Sequence, residues 1–145
     1  MHNVTEDALS LRDRVDGARR DIVEVRLPAE GAYLSVLRTA TAGLAARLDF
    51  TLDEIEDLRI AVDEACAMLL PQAVPGSDLT CVFELLPDLM QVAVSVPSAA
   101  GRLPDRGTFA WTVLTALAGE VGADVGDGKQ VRITLHKQRS NSGKA

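Results

Sequence analysis

A chain of 145 residues, 47% of them apolar, has enough hydrophobic material for one domain with its own core, and a formal net charge of −6 argues against wholesale binding to a phosphate backbone. Its apolar runs are broken by charge well short of the roughly 20 residues that a membrane span requires, and Met1 to Arg20 is too charged for a secretory leader, so a cytoplasmic protein with no membrane and no direct nucleic-acid contact is expected. Cys66 and Cys81 match no metal-ligand spacing and His2 and His136 lie near opposite ends, which argues for two buried free thiols rather than a zinc site or a disulfide.

Between Thr5 and Arg20 the residues Ala8, Leu11, Val15 and Ala18 recur at spacings of three and four among charges, the mark of an amphipathic arm. The chain divides accordingly into an arm at 1–20, a folded domain at 21–137 and a disordered tail at 138–145. Val23, Val25 and Leu27 alternate with Glu24 and Arg26, which predicts a strand over Asp21 to Leu27 with one buried face, closed by Pro28. Tyr33, Leu37, Ala40, Leu44 and Leu48 then mark one side of a helix over Glu30 to Leu48. Its other side carries Arg38, Ala42 and Ala45, an arginine among small residues that let a partner approach closely.

Thr51 stands three residues before Glu54 in a capping-box arrangement, and Asp53, Glu54, Glu56 and Asp57 crowd a first turn where the helix dipole favours negative charge. The helix that starts there buries Leu52, Ile55, Leu58, Val62, Ala65 and Leu69, and Pro71 stops it. Two strands follow, Leu79 to Leu86 and Met90 to Val96, joined by a turn at Pro87 and Asp88. Pro97 to Arg106 is a loop. Phe109, Val113, Leu114 and Leu117 predict a third helix ending near Val121, with Trp111 in the core. A short strand at Ala123 to Val125, a turn at Gly126, Asp127 and Gly128, and a last strand through Val131, Ile133 and Leu135 complete the order. The fold class is α+β, a two-layer sandwich of a mostly antiparallel sheet with helices on one face.

The segment from Leu48 to Leu70, LDFTLDEIEDLRIAVDEACAMLL, resembles the corresponding helix of the RsbW-type serine-kinase anti-sigma factors, members of the GHKL superfamily with histidine kinases and Hsp90. The order and length of elements agree from Asp21 to Lys137. The resemblance implies a Bergerat-like ATPase fold, Mg-ATP as cofactor, a homodimer, and two protein partners: a sigma factor and a STAS-domain anti-anti-sigma factor. In the family's N-box a glutamate acts as general base and an asparagine four residues later holds magnesium. Here Glu64 keeps the first position and Met68 takes the second, a thioether where a hard cation wants oxygen. The family's Asp-x-Gly box falls on Val96 and Ser98, its glycine-rich phosphate turn leaves Gly107, and its Gly-x-Thr leaves Gly128 followed by Lys129 and Gln130.

Hydrogen bonds with charged groups contribute about 1.5 to 3 kcal/mol each, so losing three is of the order of micromolar binding itself, about 8 kcal/mol. The resemblance also puts Arg38 where family members contact both sigma factor and antagonist. The expected function is an anti-sigma factor that sequesters an alternative sigma factor until the antagonist competes. The alternative is the active serine kinase that phosphorylates the antagonist, with Glu64 as its catalytic residue.

Overall fold

The computed structural model describes residues 20–140, so the expected amphipathic arm lies outside the described residues. In chain order they form β1 (Asp21–Pro28), a 3-10 turn (Gly31–Tyr33), α1 (Leu34–Arg47), α2 (Leu52–Leu69), a second 3-10 turn (Leu70–Gln72), β2 (Asp78–Leu85), β3 (Leu89–Pro97), α3 (Phe109–Ala118), β4 (Glu120–Gly126), a third 3-10 turn (Asp127–Lys129) and β5 (Gln130–Gln138). The five strands lie in the order β1-β2-β3-β5-β4, and every neighbouring pair is antiparallel. The architecture is the expected α+β sandwich.

Alternation within each strand decides which face of the sheet is buried. Val25, Cys81, Val94 and Ile133 stand side by side across β1, β2, β3 and β5, as do Val23, Phe83, Val92 and Leu135. Cys81, Phe83, Val92, Val94, Ile133 and Leu135 are completely buried. Leu58, Ala61, Val62, Ala65, Cys66 and Leu69 supply the matching stripe of α2, and each large side chain shielded there contributes about 1.5 to 3 kcal/mol. Both cysteines are free and buried, as expected. Trp111 is also in the core, 7% exposed, with the Arg106 guanidinium 5.0 Å from the ring centre.

Helix α2 begins as its sequence requires. The Thr51 side chain accepts the Glu54 N–H at 3.1 Å, and the Glu54 carboxylate accepts the Thr51 N–H at 2.8 Å. Three apolar residues nonetheless face solvent where a buried position was expected. Leu52 is 83% exposed at the first position of α2, where the helix turns it away from the sheet and Glu54 takes the buried place instead. Tyr33 is 42% exposed in the turn before α1, and Phe109 is 82% exposed as the first residue of α3.

The chain's last third departs from the sequence reading at two points. Helix α3 stops at Ala118 because Gly119 adopts a φ of 88°, a conformation that glycine takes without steric cost; Val121 therefore belongs to β4, opposite Leu135. Where a disordered tail was expected from Gln138, β5 includes that residue and two backbone bonds follow it. Arg139 N–H donates to Asp88 O at 2.7 Å, and Ser140 N–H donates to the Glu54 carboxylate at 2.7 Å.

Candidate functional site

Helix α2 presents Asp63 and Glu64 on different faces, because consecutive residues of an α-helix stand about 100° apart. Asp63 turns toward α1. Arg38 on α1 donates from Nε to its two carboxylate oxygens at 2.9 and 2.7 Å, the two side chains being 42% and 35% exposed. Glu64 and Met68, one turn apart, are half-buried on a different side, and no hydrogen bond or ion pair to a described residue engages Glu64.

The expected partner face on α1 needs one correction. Arg38 and Ala42 are half-buried and still reach solvent, but Ala45 is completely buried. Leu37, Thr41 and Ala45 form the core-facing row of α1, and the Thr41 hydroxyl is satisfied by donating to the Leu37 carbonyl at 2.8 Å. A small residue four positions after a buried threonine continues the buried row. Ala45 therefore packs inside the domain and is removed from the partner-binding residues.

The residues predicted to line a nucleotide site are spread over a second region, where the C-terminal end of α2 meets the loop after β3. Val96 is completely buried, paired with Val131. Ser98 is 3% exposed: its Oγ donates to Gln72 Oε1 at 2.7 Å and accepts the Gly101 N–H at 3.0 Å, while its N–H donates to Lys129 O at 3.1 Å. Gln72 holds the loop at two further points, donating to Arg102 O at 2.8 Å and accepting the Arg102 N–H at 3.2 Å. Lys129 Nζ donates to Ala99 O at 3.0 Å. Ser98 and the Gly128 turn are thus brought together. Gly128 and Lys129 both have positive φ, 68° and 58°.

Gly107 belongs to a separate local structure. Its N–H donates to Asp105 at 2.8 Å, and Thr108 caps α3 by accepting the Trp111 N–H at 3.2 Å. Gln72, Lys129 and Asp63 were missed in the sequence. Only the polar Lys-Gln pair after Gly128 and the charge beside Glu64 hinted at them, and neither hint names a partner.

The described residues do not fit Mg-ATP in the manner the family's boxes require. A magnesium ion takes oxygen ligands, and Met68 offers sulfur in the asparagine's place. Val96 presents hydrocarbon where a carboxylate would take the adenine amine, and the Ser98 hydroxyl is already committed to Gln72 and Gly101.

Clefts lie elsewhere on the described domain, lined by residues other than the predicted nucleotide set. One of about 530 Å³ lies beyond the end of α3 among Asp88, Glu120, His136 and Lys137. One of about 430 Å³ lies beside Arg47, Leu48 and Leu86, and an apolar one of about 470 Å³ lies against Val36 and Ala40 of α1.

Beneath the Arg38–Asp63 pair, burial pushes the Cys66 thiol up to about 12, with Asp63 adding to the rise and Arg38 opposing it. Burial raises Cys81 as well. Neither thiol is poised for chemistry at neutral pH.

No family model matches the chain. It is similar to the anti-sigma-F factor RsbW of Mycobacterium tuberculosis, 33% identical over 118 residues that cover 81% of this chain and 69% of that protein. It is also similar to the serine-protein kinase RsbW of Bacillus cereus, 34% identical over 79 residues, 53% of this chain and 49% of the relative, so it spans about half of that kinase. In the crystal structure of the RsbU and RsbW domains of Rv1364c from Mycobacterium tuberculosis the same fold recurs, with a TM-score of 0.64 and 17% identity over 83% of this chain and 33% of that one. No helix among the described residues is long and apolar enough to cross a membrane. With 33% identity sustained across most of both sequences, the chain belongs to the RsbW family of anti-sigma factors and serine-protein kinases.

Proposed function

We propose that this protein is an anti-sigma factor that captures an alternative sigma factor by stoichiometric binding and gives it up when a STAS-domain anti-anti-sigma factor competes. The observation that carries this reading is the 33% identity to an anti-sigma-F factor over 118 residues, 81% of this chain. Capture needs a complementary surface and no bond making. A half-exposed arginine held on the seam between α1 and α2 supplies a fixed charged anchor for such a surface. The reading includes a homodimer in the cytoplasm, with neither nucleic acid nor membrane as a direct partner.

A second reading, the serine kinase, draws on the likeness to the serine-protein kinase RsbW of Bacillus cereus and on Glu64, which by the resemblance takes the position of the family's general base. Against it stand Met68, Val96 and the engaged Ser98.

Calorimetric titrations of the purified protein separate the two. Binding of one of the host's purified alternative sigma factors, with no saturable heat from millimolar Mg-ATP, supports capture alone. Saturable Mg-ATP binding that disappears in Glu64→Ala, with phosphate incorporated into a STAS antagonist, establishes the kinase. No sigma factor bound removes the main reading. Light scattering of the eluting protein checks the dimer.

A further inference from the structure

Arg38 reaches across from α1 and places its Nε against both carboxylate oxygens of Asp63. Its terminal Nη1 and Nη2 make no hydrogen bond with any described residue, and the side chain remains 42% exposed. The guanidinium is thus held at one edge and open at the other. That open edge is the one whose two parallel N–H groups match a carboxylate in a forked pair. Asp63 also lies beside Glu64 in sequence but on another side of the helix, so the carboxylate that shapes the partner face is not the one the N-box singles out.

We infer that Asp63 is a positioning residue for partner capture: it fixes Arg38 in the pose whose free guanidinium edge takes a carboxylate of the sigma factor. The inference rests on the anti-sigma reading above. An arginine without this hold samples many rotamers, and each encounter with a partner must order it again. A partly exposed ion pair adds little to the fold itself, so the benefit of the pair lies in the ordering of Arg38.

The test is a double-mutant cycle in the full chain, with Arg38→Ala, Asp63→Ala and the double variant. The probe is whichever purified alternative sigma factor of the host binds the wild type. Arg38→Ala is expected to weaken capture by about a hundredfold, a hot-spot loss, and Asp63→Ala by about tenfold. The double variant is expected to bind no worse than Arg38→Ala. Asp63→Asn, which keeps an oxygen acceptor for Nε, recovers part of the loss. The Arg38 Nε–H signal in NMR is expected to exchange slowly in the wild type and rapidly in Asp63→Ala, with little change in melting temperature.

Wild-type capture by Asp63→Ala overturns the inference while leaving the anti-sigma reading intact. So does an equal loss from Asp63→Ala in the Arg38→Ala background, which would mean that Asp63 acts through the fold. Unchanged capture by Arg38→Ala removes both residues from the partner face. If no sigma factor binds the wild type, the anti-sigma reading fails first and this inference with it.

Discussion

Ser98 Oγ donates to Gln72 Oε1 at 2.7 Å and accepts the Gly101 N–H at 3.0 Å, so a single buried hydroxyl fastens the loop after β3 to the turn that ends α2. The resemblance would put at this position a glycine that admits the nucleotide. Here it is a structural clamp. The same loop is tied from its other side by Lys129 Nζ on Ala99 O and by Ser98 N–H on Lys129 O.

Ser98→Ala leaves the Gly101 N–H and the Gln72 amide oxygen without that partner, a cost of about 1 to 3 kcal/mol for buried polar groups. Urea unfolding is expected to show the loss, and hydrogen exchange at Gly101 and Arg102 is expected to quicken. Ser98→Gly is expected to destabilise the loop in the same way without producing Mg-ATP binding, because Val96 and Met68 remain.

Arg38→Glu places a second carboxylate against Asp63 and reverses the charge of the partner face. Capture of the sigma factor is expected to be abolished in a calorimetric titration. The domain stays folded by circular dichroism, since the pair is partly exposed and such pairs contribute about 0 to 1 kcal/mol.

Glu54 links pH to stability. Burial works to raise its pKa, but the backbone N–H groups of Thr51 and Ser140 favour the charged form, and the net effect is a pKa below the ordinary 4.5. A carboxylate whose folded pKa is depressed stabilises the fold above its unfolded value, and that contribution is lost as pH falls through the folded value. Urea unfolding of the wild type is expected to lose stability as the pH drops below 4.5, and Glu54→Gln, which lacks the titrating group, is expected to show a shallower dependence.

The thiols act at the other end of the pH scale. Cys66, raised by burial from 9.0 to about 12, holds its proton in the folded state at pH values where the unfolded chain has released it. Its contribution is fully present below 9.0 and declines as the pH rises toward 12, with Cys81 acting in the same direction. Neither thiol is expected to react with a maleimide or an aromatic disulfide reagent in the native protein near pH 8. Both should react at once in denaturant, and rapid native labelling of either would contradict the burial described here.

Local signals in the sequence are sufficient for the elements themselves. The alternation of Val131, Ile133 and Leu135, the capping box from Thr51 to Glu54, and the proline at the end of α2 all act within a few residues, and they predict strands and helices at the places where the structure has them. The family resemblance was carried by the same local stretch around Glu64, and the comparisons bear it out. Periodicity was a poorer guide at element ends. Leu52 and Phe109 fit an apolar stripe by spacing, but a helix's first residue lies beyond the surface that the helix covers.

What spacing along one chain cannot determine is which polar groups meet across elements. Ala45 looked like a small residue left for a partner until α1 was rotated onto the core by Leu37 and Thr41. Nothing local marks Asp63 or Gln72; their roles depend on Arg38, 25 positions earlier, and on Ser98, 26 positions later. Residue type and spacing were enough for the elements and their order, because alternation, capping and helix-stopping act at or near single positions. The tertiary structure alone decided that the Ser98 position is a clamp and that Arg38 is held by Asp63, because a hydrogen bond depends on distance and direction between groups that only packing brings together.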